Sequence, residues 1–141
     1  MARDDLDERA VVVLDSLRRP DGSDLRIFAT LAHHPKLLKR WSAFGGALLY
    51  GGRLPARDRE VLILRTGWRC AAEYEWGQHV EIGKAAGLTD EDVARIAGAV
   101  GADGLPELDR LLIIAADELH DAARLSDATW ASLAERYDIQ Q

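Results

Sequence analysis

The chain has 141 residues, of which 48% are hydrophobic, so it suits one domain with a buried core and is too short for two. A net charge of −6 argues against a general nucleic-acid-binding or anionic-membrane surface, because either would need clustered positive charge. The single cysteine, Cys70, excludes an intrachain disulfide, a CxxC redox pair and a four-cysteine zinc site. Without a signal-peptide pattern or an apolar run of ~18 residues, we expect a soluble, cytoplasmic protein.

Apolar residues recur at helical spacing along the first third of the chain, and no clean alternation indicates a strand. The first predicted helix runs from Asp4 to Arg19 and stops at Pro20. Ser23 or Asp24 is predicted to cap the second helix. Pro35 occupies the favoured first position of the third helix. Five apolar residues of this helix are predicted to face the core: Leu37, Leu38, Trp41, Phe44 and Leu48.

Two longer helices are predicted in the middle of the chain. The fourth runs from Ala56 to about Cys70, and apolar residues surround most of its circumference, which is typical of a central helix. The fifth runs from Ala72 to Ala86 and ends at Gly87, a residue suited to a left-handed C-cap.

Three further helices are predicted before the end of the chain. Thr89 and Asp92 resemble a capping box at the start of the sixth helix, which runs to Val100. Pro106 opens the seventh helix and Ser126 caps a short eighth one. The sequence therefore predicts an all-α fold of about six to eight helices, forming a single domain over residues 1–141.

The densest group of chemically active side chains lies in the segment Glu73–His79. Glu75 and His79 are four positions apart, so they share a helix face with Trp76. A carboxylate beside an imidazole orients the ring and favours its charged form, which is how an acid–base pair is made near neutral pH. The alternative is an exposed helix pair worth a few tenths of a kcal/mol.

Glu60 precedes the apolar run Val61–Leu64 on the preceding helix. If this carboxylate faces inward, it needs a partner to offset its desolvation, and Arg57, Arg65 and His79 are candidates. The alternative is a glutamate in the first turns of a helix, favoured by the helix dipole.

The remaining histidines are candidate metal ligands. His33, His34 and His120 could join Glu75 and His79 as ligands, but their spacing is looser than that of an HExxH motif. We therefore expect neither a metal ion nor another cofactor.

Four aromatic side chains and the cysteine complete the candidates. Trp41, Phe44, Trp68 and Trp76 either line an aromatic pocket or form plain core. Cys70 is predicted to be a small buried hydrophobe. As a sulfenic acid it would have no resolving partner in its own chain.

Several segments resemble the carboxymuconolactone decarboxylase family, whose superfamily includes the alkylhydroperoxidase D-like proteins. The resemblance covers about Phe28 to Tyr137 and implies an all-helical fold. It also implies a homo-oligomer, usually a trimer or hexamer, with pockets near subunit interfaces. The segments that carry it are Leu31–Pro35 with Trp41 and Phe44, Leu54–Glu60, Glu73–His79 and Ala86–Thr89.

The peroxidase branch of that family uses a glutamate, a CxxC pair and a histidine four residues after the second cysteine. Glu60 and His79 match the glutamate and the histidine in spacing. The two cysteine positions fall on Ala72 and Glu75, and Cys70 aligns with neither. Dithiol alkylhydroperoxidase activity is therefore expected to be lost.

The decarboxylase branch lacks CxxC and implies a histidine-containing pocket for a carboxylated lactone. Decarboxylation there needs an anionic intermediate to be stabilised and then protonated. His79, supported by Glu60 or Glu75, is the expected proton donor, and Tyr74 the expected partner of the enolate oxygen. The substrate-binding residues expected are Trp76, Trp41, Phe44 and Arg57, with Arg65 or Arg69 as alternative carboxylate clamps.

Three functions remain open from the sequence. The leading one is a cofactor-independent enzyme of lyase or isomerase type, acting on a small carboxylated or carbonyl substrate by Glu/His acid–base chemistry. The alternatives are a peroxidase-like antioxidant protein that uses Cys70 and a non-catalytic oligomeric binding module. In each case we expect no nucleic-acid or membrane partner.

Relatives with this signature commonly continue past a segment like Tyr137–Gln141 into another apolar helix, whereas this sequence stops there. The apolar surface that such a helix covers is therefore expected to be exposed or to be buried by a neighbouring subunit.

Overall fold

The structure, a computed structural model, describes residues 6–19, 21–98 and 104–141. Within these residues there are eight helices and no strand, so the expected all-helical fold is confirmed. None of the helices described is long and apolar enough to cross a membrane. Three predicted features lie outside the described residues: the helix start at Asp4, the stop at Pro20 and the helix end at Val100.

Two compact units make up the chain. The first ends at Gly52 and the second is Arg53–Gln141. Each has its own cluster of buried apolar side chains. The expectation of a single domain over residues 1–141 stays a prediction.

The first unit contains α1 (Glu8–Ser16), α2 (Arg26–Leu31) and α3 (Pro35–Leu49). Both α1 and α2 pack against α3. The first helix ends before Arg19, to which the sequence had extended it. Four fully covered side chains form the core of this unit: Ala10, Leu14, Ala32 and Leu38.

The predicted cap of α2 is wrong. Leu25 precedes the helix and provides no side-chain hydrogen bond. The Ser23 hydroxyl instead donates to Asp21 at 2.6 Å, and the Asp24 carboxylate accepts from Arg18 at 3.2 Å. Both candidate caps are therefore already bonded within the preceding turn, which explains why neither serves the helix.

The apolar residues of α3 do not all face the core. Pro35 begins the helix as predicted, and Leu38 is buried. The other predicted core residues of this helix are 37% to 65% exposed, namely Leu37, Trp41, Phe44 and Leu48. The prediction is wrong for these four residues because α1 and α2 cover the face of α3 on which Leu38 lies, whereas the four side chains form a separate stripe along α3.

The second unit is built around its first helix. Its elements are α4 (Ala56–Arg69), α5 (Glu73–Ala85), α6 (Asp90–Ala97), α7 (Glu107–Ala122) and α8 (Asp127–Ala134). The first of these packs against the next three, which confirms the predicted central helix. Its Val61 and Leu64 lie in the main apolar cluster with Ile96, Leu112 and Ile113.

The predicted ends of these helices are confirmed where they depend on local chemistry. Gly87 follows α5 with φ 103°, a conformation that side chains disfavour. Thr89 and Asp92 form a complete capping box at the start of α6. Ser126 caps α8 through its hydroxyl.

A ladder of ion pairs joins α4 to α7. Its members are Arg57 with Asp109, Arg65 with Asp117, and Arg69 with Asp121. In each pair the two residues are 52 positions apart, so the two helices run in the same direction. This contact holds one side of α4 and leaves another side for α5.

Candidate functional site

Glu60 and His79 meet where α4 and α5 pack closely. A Cβ atom placed on Gly83 would lie 2.9 Å from Leu88 Cδ1 and 3.6 Å from Glu60 Cβ. The missing side chain at Gly83 therefore allows α5 to lie tightly against α4. His79 is one helical turn before Gly83, and so it faces Glu60.

The contact between the two side chains is short and buried. Nδ1 of His79 lies 2.6 Å from Oε2 of Glu60, whose exposed fraction is 0%. An ionised carboxylate can only accept hydrogen bonds, so the neutral imidazole carries its proton on Nδ1 and donates it to Glu60. The other ring nitrogen, Nε2, is then left with its lone pair.

Glu60 has a second hydrogen-bond donor. The Nε–H of Arg59 donates to Oε1 of Glu60 at 3.0 Å. Burial by itself would raise the pKa of Glu60, but the hydrogen bonds from His79 and Arg59 outweigh burial and hold the pKa below its ordinary value of 4.5. The buried carboxylate is therefore ionised at neutral pH.

Glu75 stands on the solvent side of the histidine. Its Oε2 lies 3.8 Å from Nε2 of His79, and its side chain is 42% exposed. This distance exceeds that of a hydrogen bond. The imidazole thus lies between a buried carboxylate bonded to Nδ1 and a partly solvated carboxylate near Nε2, an arrangement that can take up and release a proton at Nε2.

Aromatic side chains border the pair on α5. Trp76 is three residues before His79 and is half-buried against the core cluster. Its ring lies 5.2 Å from that of Trp68, which is exposed at the end of α4. Tyr74 is half-buried and lies about 140° around the helix axis from His79.

The expected carboxylate clamps are held by aspartates of the protein. Arg57 donates two hydrogen bonds to Asp109, and the hydrogen bond with Asp109 raises the pKa of its guanidinium. Arg65 and Arg69 likewise belong to the ladder with α7. Substrate binding by Arg57 stays a prediction, but it would compete with this ion pair.

Two predicted pocket residues lie in the first unit. Trp41 and Phe44 are on α3, and the ring of Trp41 meets that of Phe28 edge to face at 5.9 Å. Their part in the site stays a prediction. His33 and His34 also belong to this unit, and His34 Nδ1 accepts from the backbone N–H of Leu37.

The described residues contain no group of three or more His, Cys, Asp or Glu side chains that could hold a metal ion. The expectation on metals and cofactors stays a prediction.

Cys70 is exposed, so the prediction of a buried hydrophobe is wrong. It follows the last residue of α4, and the chain turns away at Ala71 with φ 50°. Its Sγ lies 3.7 Å from Nδ1 of His120. Cys70 is thus paired with a histidine, but with one outside the Glu60–His79 contact.

Arg59 is a partner of Glu60 that the sequence did not predict. Adjacent residues of a helix point about 100° apart, so a residue next to Glu60 was not an expected partner. The available signal was the buried carboxylate itself, which needs more than one donor when it is ionised.

A groove of about 540 Å³ lies elsewhere in the second unit. It is mainly apolar, and Glu60, Glu75 and His79 do not line it. At its edge the Tyr137 hydroxyl donates to Asp58 at 2.7 Å. The groove lies between α4, α7 and α8, and its lining includes Leu62, Leu112, Leu119, Trp130, Leu133 and Tyr137.

Residues 35–117 match the model of the carboxymuconolactone decarboxylase family, which is more than half of the chain. The matched stretch includes Glu60, Glu75 and His79. Searches of curated proteins and of solved structures gave no match.

Proposed function

The chain belongs to the carboxymuconolactone decarboxylase family, and on that premise we propose that His79 is the proton carrier of a cofactor-independent enzyme. The substrate is a small carboxylated or carbonyl compound. The observation that carries the proposal is the 2.6 Å contact between Glu60 and Nδ1 of His79, with Nε2 directed toward the partly solvated Glu75.

The chemistry that suits this arrangement is decarboxylation next to a conjugated carbonyl. The bond between the substrate carbon and its carboxylate breaks, CO₂ leaves, and the electron pair passes to the carbonyl as an enolate. His79, protonated on both nitrogens, then delivers the Nε2 proton to carbon and returns to the neutral state. Glu60 stabilises the imidazolium throughout, since it stays ionised and bonded to Nδ1.

Other residues of the protein are proposed to bind the substrate. Trp76 lies on the same face of α5 as His79 and would pack against an apolar ring. Tyr74 would donate a hydrogen bond to the enolate oxygen, which requires a substrate that reaches around the helix. Trp41, Phe44 and Arg57 stay proposed substrate-binding residues, and the protein is proposed to be a cytoplasmic homo-oligomer, a trimer or hexamer.

The test is turnover of a panel of carboxylated lactones and keto acids by the protein and its His79→Ala variant. We expect CO₂ release or isomerisation of at least one compound, and a loss of 100-fold or more in the variant. His120→Ala is the matched control, because His120 contacts Cys70 and not Glu60. Equal turnover by His79→Ala would refute the role of His79, and failure to turn over or bind any compound would favour the non-catalytic module.

A second candidate function rests on the exposed contact between Cys70 and His120. There, a Cys70 thiolate would attack the terminal oxygen of an alkyl hydroperoxide. An S–O bond forms and the O–O bond breaks, and the departing alkoxide takes up the proton that the thiol had passed to His120, so the peroxide is reduced to an alcohol and the thiol becomes a sulfenic acid. Trapping of a sulfenic acid in the native protein but not in Cys70→Ser tests this, and Cys70→Ser should not alter decarboxylation.

A further inference from the structure

We propose that the apolar groove between α4, α7 and α8 binds a small organic cation, a molecule in which an apolar chain or ring carries an ammonium group. The volume of the groove, about 540 Å³, lies within the range of ligand pockets in proteins. Glu60, Glu75 and His79 do not line it, so this site is separate from the proposed site of proton transfer. The inference therefore goes beyond the proposed function and does not depend on it.

Apolar side chains that line the groove are left in contact with solvent. Leu119 of α7 is 51% exposed, Trp130 of α8 is 60% exposed, and Ile139 is almost fully exposed. Exposed apolar side chains that gather around a concave surface mark a binding site, because covering them removes apolar area from water. The body of the ligand is therefore apolar.

Hydrogen bonds hold the walls of the groove in place. Glu118 of α7 accepts from the backbone N–H of Ser126 at 2.8 Å, and from the hydroxyls of Ser126 and Thr129 at 2.9 Å each. These bonds fix the start of α8 against α7. At the other end of α8, Tyr137 donates to Asp58 of α4 at 2.7 Å. Because the groove is formed before a ligand arrives, binding does not have to order it.

The charge of the lining decides which head group the ligand carries. Among the described residues that line the groove, Asp138 is charged and none is Lys or Arg. Oδ1 of Asp138 accepts from the backbone N–H groups of Gln140 and Gln141 at 2.8 and 3.1 Å, so its own turn holds the carboxylate. An ammonium group is attracted to this carboxylate, whereas a carboxylated ligand is repelled. The groove thus selects the opposite charge from the substrate proposed for His79.

Two aromatic rings of the lining also favour a cation. Trp130 and Tyr137 both line the groove, and the faces of indole and phenol rings attract an ammonium group. The Tyr137 hydroxyl is engaged with Asp58, and the side-chain carbonyl of Gln141 accepts from the backbone N–H of Asp138 at 3.0 Å. Recognition of the ligand therefore depends on the Asp138 carboxylate and on the two rings.

The experiment compares three compounds that share one eight-carbon chain and differ in the charge of the head group. Octylamine, octanol and octanoate are titrated into the native protein at neutral pH, and calorimetry gives each Kd. We expect octylamine to bind most tightly and octanoate about tenfold more weakly or worse. Asp138→Asn should bring the Kd of octylamine to within about threefold of that of octanol, and should leave the Kd of octanol unchanged.

A single charge placed in the groove tests the location of the site. Leu119→Lys should weaken octylamine about tenfold and strengthen octanoate, because Leu119 lines the groove. Ile82→Lys is the matched control, since Ile82 is also an exposed apolar residue but belongs to α5 and does not line the groove. In methyl ¹H–¹³C spectra of the native protein, octylamine should shift the signals of leucines that line the groove, such as Leu133.

Octanoate that binds as tightly as octylamine would overturn the inference, and so would octylamine binding that is unchanged in folded Leu119→Lys. If that variant does not fold, methyl shifts that avoid the groove would overturn it instead. Failure of all three compounds to bind would also do so. If Leu119→Lys then changed the oligomeric state, the groove would be a contact between copies of the chain. Because no turnover is measured, these results are independent of whether the proposed enzyme activity exists.

Discussion

The two sides of α4 use charged residues in opposite ways. On the side of α7, Arg65 donates to both carboxylate oxygens of Asp117 and to the backbone carbonyls of Ile96 and Gly98. On the side of α5, the nearest carboxylate to Nε2 of His79 is 3.8 Å away. One side is saturated with hydrogen bonds, and the other leaves one nitrogen available. Charged residues of this one helix therefore hold the fold on the side of α7 and belong to the proposed site on the side of α5.

The largest effect should come from substitutions on the side of α5, where the proposed proton carrier lies. We expect Glu60→Gln to lower turnover by about 100-fold or more, because an amide can no longer stabilise the imidazolium. Glu75→Gln should cost less than about tenfold, since Glu75 is partly solvated and beyond hydrogen-bonding distance. The turnover number of the two variants on one substrate decides this, and a larger loss in Glu75→Gln would reverse the roles assigned to the two carboxylates.

Removing an ion pair between α4 and α7 should change the stability of the protein instead. Arg65→Ala removes the buried partner of Asp117 and is expected to lower the free energy of unfolding by about 3–5 kcal/mol. The control Arg69→Ala should cost about 1 kcal/mol, because Arg69 and Asp121 are more exposed, and Asp117, which Arg69 also contacts at 3.1 Å, keeps its two hydrogen bonds from Arg65. Urea denaturation measures both. Similar losses in the two variants would show that burial does not separate these pairs.

The stability of the protein at low pH should show the contribution of the buried Glu60 carboxylate. The pKa of Glu60 is lowered on folding, so its contribution to stability is present above pH 4.5 and is lost as the pH falls through the folded-state pKa. Each unit of lowering contributes about 1.4 kcal/mol. We therefore expect the stability of Glu60→Gln to fall less steeply than that of the native protein below pH 4.5. Parallel curves in acid denaturation would contradict the ionised, hydrogen-bonded Glu60.

The smallest expected change in stability comes from alanine substitutions at two glycines of α5. A Cβ at Gly77 would meet nothing within 4 Å, so Gly77→Ala should stabilise the helix by about 1 kcal/mol. At Gly83 the same change meets Leu88 at 2.9 Å, and overpacking of about 1–3 kcal/mol opposes the gain. Thermal unfolding should therefore rank Gly77→Ala above Gly83→Ala. The reverse order would show that α5 does not need close approach to α4.

The parts of this structure that the sequence predicts best depend on residues within one helical turn. The capping box of Thr89 and Asp92 and the C-cap at Gly87 are of this kind. The contact of Glu60 with His79 is one of three predicted pairings, because an inward-facing carboxylate needs a partner to offset its desolvation. That Glu60 takes His79 is decided by tertiary packing, whereas Arg59 was missed because adjacent residues of a helix point about 100° apart.

The ion-pair ladder has a sequence signal in the matching spacing of its arginines and aspartates. Arg57, Arg65 and Arg69 are spaced by eight and four positions, and the aspartates of α7 repeat that spacing. Matching patterns of opposite charge on two helices indicate a parallel contact, which would have placed these arginines away from the substrate. The exposure of four apolar side chains of α3 and of Cys70 depends instead on which surfaces the neighbouring elements cover, and residue spacing alone does not reveal it.

The most direct test of the central claim is the fate of a solvent proton. A carboxylated substrate is turned over in D₂O, and deuterium is measured at the carbon that loses the carboxylate. We predict one deuterium per product molecule from the native protein and a rate of product formation at least 100-fold lower in His79→Ala, with His120→Ala unchanged. Deuterated product formed by His79→Ala at the native rate would contradict the assignment of His79 as the proton carrier.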